Sequence, residues 1–261
     1  MASSDQAPPA FVRLAGHALR WRLLTELAAG DLRVRELMTL VEAPQNLVSY
    51  HLRLLRDGGL VTATRSSRDG RDSYYRLDLD RCAQALAGAG AALHPALHPD
   101  LRGVSEPPEP PSRWPRLSVL FACTGNSARS PIAEALLRHH TAGRVTVTSA
   151  GSRPAARMHP HAVRVLREQY GIDIADRRPR HLDTLRGHRF DHVITLCDKV
   201  REVCPEFGDH VRRIHWSTPD PAAAGRSEQD VHAALVRAAA DIDTRIRYLL
   251  PVLAHTPEAH S

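Results

Sequence analysis

The sequence is poor in cysteine and lacks any long apolar run, and each shortage excludes a class of protein. The longest weakly polar stretch, residues 82–97, is mostly alanine and glycine and is broken by Gln84, His94 and Pro95. A membrane-spanning helix needs about 20 consecutive apolar residues, so a transmembrane protein is excluded. Four cysteines in 261 residues exclude a disulfide-rich scaffold.

The amino terminus lacks the succession of basic, apolar and small residues that marks a signal peptide. We therefore expect a cytoplasmic protein without a membrane partner, in which the four cysteines are reduced. Lysine is nearly absent as well: Lys199 is the only one among 35 basic residues, and the formal net charge is +6. Such a preference for arginine is typical of a genome-wide coding bias, so the charge alone indicates nucleic-acid binding only weakly.

A proline-rich segment divides the chain. Residues 101–115 contain five prolines and no apolar periodicity, which predicts a stiff, extended linker. The length of the chain leaves room for a core on each side of it. We predict a disordered amino terminus at 1–9, a first domain at 10–100, the linker at 101–115, a second domain at 116–252 and a tail at 253–261.

The first domain has the element order of a winged helix. Three segments show helical periodicity, and two shorter ones alternate between polar and apolar residues. The predicted helices are 11–29, 34–41 and 44–57, and the predicted hairpin strands are 60–64 and 73–77 around the turn-rich segment 67–71. The fold class expected for this half is a mainly α winged helix-turn-helix.

The third predicted helix is the candidate DNA-reading element. Leu47, Leu52 and Leu55 recur at roughly helical spacing, which leaves polar side chains on the other faces to contact base edges and phosphates. Arginines of the hairpin can add phosphate contacts. The candidate DNA-binding residues are Gln45, Asn46, Ser49, Tyr50 and Arg53 in the helix and Arg65, Arg68 and Arg71 in the hairpin.

Residues 10–80 resemble the winged-helix repressors of the ArsR/SmtB family, through the helix segment 49–55, the stretch 57–61 and the hairpin. The resemblance implies binding to operator DNA as a homodimer, with a dimer-forming helix after the hairpin. Segment 34–40 lacks the cysteine motif of the metal-sensing members, and Cys82 alone cannot close a soft-metal site. No metal site is predicted, and a helical docking module is the alternative to DNA binding.

The second domain alternates strands with helices, which predicts an α/β fold with a parallel sheet flanked by helices. Its first strand runs into a loop of small residues between Cys123 and Arg129. A loop of this kind before a helix directs backbone N–H groups inward, where they can bind a tetrahedral oxyanion. The predicted strands are 117–122, 145–149 and 192–196, and the predicted helices are 131–140, 159–170 and 228–250.

The loop carries a nucleophile and an anion clamp. Arg129 can bind two oxygens at once, and the surrounding donors favour the thiolate form of Cys123. Gly125 is expected to adopt a backbone conformation that other residues avoid, and Ser130 to cap the helix and donate to the sulfur. The candidate oxyanion-binding residues are Thr124, Gly125, Asn126, Ser127, Ala128, Arg129 and Ser130.

Residues 117–250 resemble the low-molecular-weight protein tyrosine phosphatase superfamily, through this loop, Ser149-Ala150-Gly151 after the second strand, segment 190–196 and Asp220-Pro221. The resemblance implies that Asp220 is the general acid. Alanines at 222–224 replace the aromatic residue with which phosphatases hold a phosphotyrosine ring.

Two further cysteines, Cys197 and Cys204, follow the strand at 192–196. Their spacing resembles that of the thioredoxin-coupled arsenate reductases. The resemblance implies that Cys123 attacks arsenate, that Cys197 releases arsenite by forming a disulfide with Cys123, and that Cys204 then forms a disulfide with Cys197 for reduction by thioredoxin or another thiol reductant. No cofactor is implied.

Other interpretations stay open. Cys197 and Cys204 can be inert buried thiols, or half of a zinc site with His192 and His210, and the domain can be a phosphatase or a non-catalytic oxyanion sensor. Some reductases hold potassium; Asn126, Glu134 and Ser149 match its ligands, but the basic run 177–181 replaces the acidic one. The prediction is an arsenate reductase fused to an ArsR-like regulator, with operator, inducer, reductant and potassium dependence undetermined.

Overall fold

The computed structural model describes residues 7–255, except 69, 95–96, 98–113, 209, 224 and 226. Two compact units form, residues 1–108 and 109–261. Most of the predicted linker lies outside the described residues; of its final two residues, Trp114 is buried against the core of the second unit. Residues 1–6 and 256–261 of the predicted termini also lie outside.

The first unit is a helical domain with a three-stranded antiparallel sheet in the order β1-β3-β2. Apolar residues of its helices form one core with Leu23, Leu37 and Leu52 fully buried. Its elements are α1 Ala10–Ala15, α2 Ala18–Ala29, β1 Leu32–Arg33, α3 Val34–Val41, α4 Gln45–Asp57, β2 Val61–Arg65, β3 Ser73–Leu77 and α5 Leu79–Leu93. The predicted winged helix-turn-helix is confirmed.

Three details of this unit differ from the prediction. The single helix expected at 11–29 is two, because Gly16 ends α1 and His17 caps α2 by accepting a hydrogen bond from the Leu19 amide. Leu47, which its spacing grouped with Leu52 and Leu55, is 40% exposed, and Val48 is buried with those two instead. The short strand β1 pairs with β3 and had no recognisable sequence signal.

The second unit is a parallel four-stranded sheet in the order β5-β4-β6-β7, which confirms the predicted α/β class. Its central strand β4 is apolar on both faces, as a strand covered on both sides must be. Its elements are β4 Ser118–Cys123, α6 Arg129–His140, β5 Thr146–Gly151, α7 Pro160–Tyr170, a 3-10 helix Leu182–Leu185, β6 His192–Thr195, α8 Asp198–Val203, β7 Arg212–His215, a 3-10 helix Pro221–Ala223 and α9 Glu228–Ala254.

The closing helix α9 completes this unit. It begins with a capping box in which Ser227 and Asp230 exchange hydrogen bonds, and it packs against α6 and α7. It continues four residues beyond the predicted end at 250, because Leu253 is still buried in the core. Ser149, Ala150 and Gly151, expected after the second strand, are the last three residues of β5.

Candidate functional site

The site begins where β4 ends. Cys123 is the last residue of β4 and only 2% exposed, residues 124–128 form a loop, and α6 starts at Arg129. Within the part of the chain that the structure describes, the backbone N–H groups of Thr124, Gly125, Ser127 and Ala128 donate to no other group. Donors left free at a helix amino terminus form a cradle for an anion.

The Cys123 sulfur is held by two neighbours. The backbone N–H of Asn126 donates to the sulfur at 3.3 Å, and the Ser130 hydroxyl oxygen lies 3.0 Å from it. Ser130 was also expected to cap α6, but the cap position is Ala128, and Ser130 lies in the first turn.

The loop owes its shape to Asn126 and Gly151 rather than to Gly125. The expectation for Gly125 was wrong: Asn126 is the loop residue with a left-handed backbone (φ 44°), and Gly125 is outside that region. A Cβ atom added to Gly151 would meet the Thr124 carbonyl oxygen at 2.6 Å and the Asn126 amide at 2.9 Å. The bare backbone of β5 therefore lets the loop approach this closely.

Arg129 and Asp220 meet at the mouth of the loop. The guanidinium is buried, donates to the Thr218 carbonyl oxygen at 2.9 Å, and lies 3.5 Å from Asp220 Oδ1. The Asp220 side chain is half exposed, so water or a leaving group can reach it. The arrangement places a fixed cation and a carboxylate beside the oxyanion cradle.

Cys197 lies at the same edge of the sheet as Cys123. The strands β4 and β6 are parallel neighbours, and Cys197 comes two residues after β6 ends. The Thr124 hydroxyl oxygen, on the residue after Cys123, is 3.2 Å from the Cys197 sulfur. The structure thus brings the first two candidate thiols together, and all four cysteines are free thiols.

Cys204 is separated from Cys197 by the short helix α8. It is half buried and packs against the core, and burial raises the pKa of its thiol. The positive charge of the nearby Arg213 guanidinium opposes this increase. The Arg213 guanidinium also donates to the carbonyl oxygens of Cys204 and Pro205, at 3.1 and 3.0 Å.

The other end of α8 is fixed by a buried polar cluster. Asp198, the first residue of the helix, is 2% exposed and accepts a hydrogen bond from Ser217 at 2.8 Å, and its Oδ1 lies 3.1 Å from His215 Nε2. The sequence prediction missed Asp198, His215 and Arg213, because their contacts join residues 8 to 19 positions apart and no spacing pattern indicates them.

A second hydrogen-bond chain runs from the loop to Glu134. Asn126 Nδ2 donates to Ser130 and Ser149, and Ser149 donates to Glu134 at 2.6 Å. The other Glu134 oxygen lies 2.8 Å from Arg138 Nη2.

A cavity of about 170 Å³ adjoins this chain, and arginines surround it. Arg177 Nη1 lies 3.0 Å from Glu134 Oε1, so guanidinium groups already neutralise the carboxylate that a potassium ion would need. The residues present do not fit a resident potassium ion. The cavity is lined by Asn126, Glu134, Arg138, Ser149, Met158, Arg177, Arg178 and Arg180.

The zinc alternative fails on geometry. His192 and Cys197 lie five residues apart along one extended segment, which places them about 16 Å apart. Of the residues described, no three histidine, cysteine or acidic side chains group so as to hold a metal ion. Likewise, no helix in the described ranges is long and apolar enough to cross a membrane.

The candidate DNA-binding side chains lie on two exposed surfaces of the first unit. All five from the helix are exposed on α4, where the Arg53 guanidinium lies 5.7 Å from the Tyr50 ring centre. In the hairpin, Arg65 ends β2 and donates to the Gly70 carbonyl oxygen at 2.9 Å, and Arg68 and Arg71 are exposed in the turn.

Cys82 lies in α5 and packs against the core of the first unit. Burial and the neighbouring Asp78 raise the pKa of its thiol to about 11, and its sulfur lies 3.7 Å from the Leu60 carbonyl oxygen. A thiol that stays protonated at neutral pH fits a structural role.

Comparison with known proteins identifies both units. Residues 118–257 match the model of the low molecular weight phosphotyrosine protein phosphatases, and residues 18–63 match that of the arsR family of bacterial regulatory proteins. An arsenate reductase from Bacillus licheniformis is 38% identical over 130 residues, which cover 50% of this chain and 92% of the reductase.

Solved structures give similar matches. An arsenate reductase from Archaeoglobus fulgidus is 29% identical, with a TM-score of 0.42 and coverage of 51% of this chain and 98% of its own. A thioredoxin-dependent arsenate reductase from Corynebacterium glutamicum is 24% identical, with a TM-score of 0.42 and coverage of 88% and 96%.

Proposed function

Because the chain belongs to the low molecular weight phosphotyrosine protein phosphatase family, we propose that its second unit uses that family's oxyanion loop to reduce arsenate to arsenite. The first unit is proposed to bind operator DNA. One chain would then carry both a reductase and a regulator. The 38% identity to an arsenate reductase over nearly the whole of that enzyme supports the reductase over a plain phosphatase.

The observation that carries this proposal is the placement of two thiols at the carboxyl ends of neighbouring parallel strands. Cys197 lies beside the oxyanion loop, with its sulfur 3.2 Å from the Thr124 hydroxyl. A phosphatase needs only the loop nucleophile, whereas a reductase needs a second thiol that can reach the first. The free loop amides and Arg129 supply the anion site next to both.

The first step is attack of the Cys123 thiolate on arsenic. Backbone amides and Arg129 hold the arsenate oxygens, and Asp220 gives a proton to the departing oxygen, which leaves as water. In the second step, the Cys197 thiolate attacks the Cys123 sulfur. The electron pair of the sulfur–arsenic bond passes to arsenic, arsenite leaves, and Cys123 and Cys197 become a disulfide.

The third step transfers the disulfide. Cys204 attacks Cys197, a Cys197–Cys204 bond forms, and Cys123 departs as a thiolate. In an intact helix, Cα atoms seven residues apart are separated by about 10 Å, whereas a disulfide tolerates at most about 7 Å. Helix α8 must therefore unwind in this step. Thioredoxin or another thiol reductant then reduces the new disulfide.

The reductase test follows NADPH consumption by purified protein with arsenate, thioredoxin and thioredoxin reductase. Turnover that depends on arsenate is expected, and Cys197→Ser and Cys204→Ser should both abolish it. Hydrolysis of an aryl phosphate without arsenate reduction would instead identify a phosphatase. Arsenate binding without either activity would identify a sensor.

The DNA-binding proposal rests on the exposed face of α4 and on the arsR family match. By that reading the protein binds a two-fold operator as a homodimer through its first unit, with half-sites about 34–36 Å apart. Selection of bound sequences from a random DNA pool tests this. Arg53→Gln should weaken binding at least about tenfold, whereas Arg164→Gln, an exposed change in the other unit, should not.

A further inference from the structure

Strand β7 holds helix α8 at both of its ends. His215 contacts Asp198 at the start of the helix, and Arg213 donates to the carbonyl oxygens of Cys204 and Pro205 just after its end. Arg213 and His215 are two residues apart on one strand, so their side chains leave the same face of the sheet. The segment that joins the second and third thiols is therefore fixed at each end by one strand.

The two contacts differ in chemistry. The Asp198 contact belongs to a buried polar cluster with Ser217 at the start of the helix. Arg213, by contrast, brings a permanent positive charge to the residue that carries the third thiol. It donates to two backbone carbonyl oxygens, so it fixes the backbone at Cys204. It also brings a positive charge close to the thiol of that residue.

The third thiol needs such help. Cys204 packs against the core, and burial raises the pKa of its thiol. Disulfide exchange proceeds through the thiolate, so a buried, protonated thiol attacks slowly at neutral pH. The Arg213 guanidinium, bound to the carbonyl oxygen of this same residue, brings the positive charge that favours the Cys204 thiolate.

We propose that Arg213 is the positioning residue of the relay: it holds Cys204 at the end of α8 and stabilises its thiolate before the helix unwinds. The inference rests on the proposed reductase function. In the step concerned, the Cys204 proton goes to solvent, the Cys204–Cys197 bond forms, the Cys197–Cys123 bond breaks, and the electron pair leaves with Cys123. No outside oxidant or reductant enters this exchange.

Arg212 offers a matched control. It is the preceding residue of β7, it is exposed, and its side chain leaves the opposite face of the strand. Arg213→Gln removes the charge and keeps a hydrogen-bond donor, Arg213→Lys keeps the charge, and Arg212→Gln removes a neighbouring charge without touching Cys204.

The first measurement requires no arsenate. Alkylation of Cys204 in the reduced full-length protein is followed by peptide mass spectrometry as a function of pH. Arg213→Gln should slow alkylation near neutral pH about tenfold, and the two rates should converge at strongly alkaline pH, once the thiol is ionised in both proteins. Arg212→Gln should follow the parent protein. Equal profiles for the two glutamine variants would overturn the proposal.

The second measurement follows one turnover. Reduced protein receives arsenate without reductant, is quenched with acid, and is mapped for its two disulfides. In Arg213→Gln, arsenite release should keep the parent rate, while the Cys123–Cys197 disulfide accumulates and passes to Cys197–Cys204 about tenfold more slowly near neutral pH. Exchange as fast as in Arg212→Gln would also overturn the proposal.

The outcomes separate the two claims. No arsenite from the parent protein would refute the reductase function, and the alkylation profile would still decide the effect of Arg213 on Cys204. Should Arg213→Gln fail to fold, Arg213→Lys decides: its kept charge should leave alkylation within about threefold of the parent, and a larger loss would contradict a role for the charge.

Discussion

At the scale of single residues, a buried histidine governs part of the pH dependence of folding. His192 is 1% exposed, and neither ring nitrogen has a hydrogen-bond partner among the residues that the structure describes. Burial and the charge of Arg212 lower its pKa, against a smaller opposing effect of Asp191. The unfolded chain therefore takes up the proton more readily, and stability should fall as pH drops below about 6.5, the ordinary histidine value.

His192→Phe should remove this dependence. An unpartnered polar ring is replaced by an apolar one of similar shape, so the variant should gain about 1 kcal/mol near neutral pH and more in acid. Denaturant unfolding near pH 8 and near pH 5 measures both effects. The exposed control His210→Phe should lose as much unfolding free energy between about pH 8 and pH 5 as the parent protein. The same loss in His192→Phe would refute the argument.

The Thr124 hydroxyl, which contacts the second thiol, should matter for the second step. Thr124→Val removes the group 3.2 Å from the Cys197 sulfur and keeps the size of the side chain. Arsenite release in a single turnover should slow about tenfold, the loss expected for one hydrogen bond to a charged group. Thr124→Ser keeps the hydroxyl and should stay near the parent rate. Equal rates for valine and serine would exclude this role.

Single residues also show which parts of the site the sequence could predict. The spacing of Cys123 and Arg129 predicted an oxyanion loop, and the pattern of strands predicted that Cys197 lies near it. The left-handed residue was misassigned to Gly125, because the loop conformation depends on the close approach of Gly151 from another strand. Arg213 escaped notice for the same reason: its contacts exist only after the sheet has formed.

At the scale of elements, α8 should open when the protein is oxidised. A Cys197–Cys204 disulfide cannot span an intact helix of this length, so the backbone hydrogen bonds of residues 198–203 must break. Amide hydrogen exchange should accelerate there at least about tenfold after arsenate treatment without reductant. Helix α7 serves as the internal reference. Unchanged exchange in α8 would contradict the relay.

Arginines line the cavity beside α6, so activity should not depend on potassium. Arg138 and Arg177 already neutralise Glu134, so an added cation gains no free carboxylate there. Replacing potassium chloride by tetramethylammonium chloride at equal ionic strength should leave turnover unchanged. A loss of several-fold, restored by potassium, would show that this assignment is wrong.

At the scale of the whole molecule, the chain carries two separate cores. The buried residues of the two units fall into two clusters with no member in common among the described residues. Each cluster should support its own cooperative unfolding. Calorimetry should therefore show two transitions, and His192→Phe should shift only one of them. Arsenate should raise the same transition, because it binds one native unit only; a single transition would refute this picture.

The oxyanion cradle consists largely of main-chain amides, so phosphate should compete with arsenate for it. Amides recognise a tetrahedral dianion by shape and charge, which arsenate and phosphate share. Selection between them must then fall to chemistry: a thiol can take sulfur away from arsenic and leave it reduced, whereas phosphorus does not accept the electron pair. The rate of arsenate reduction should follow the ratio of the two anions rather than the arsenate concentration alone.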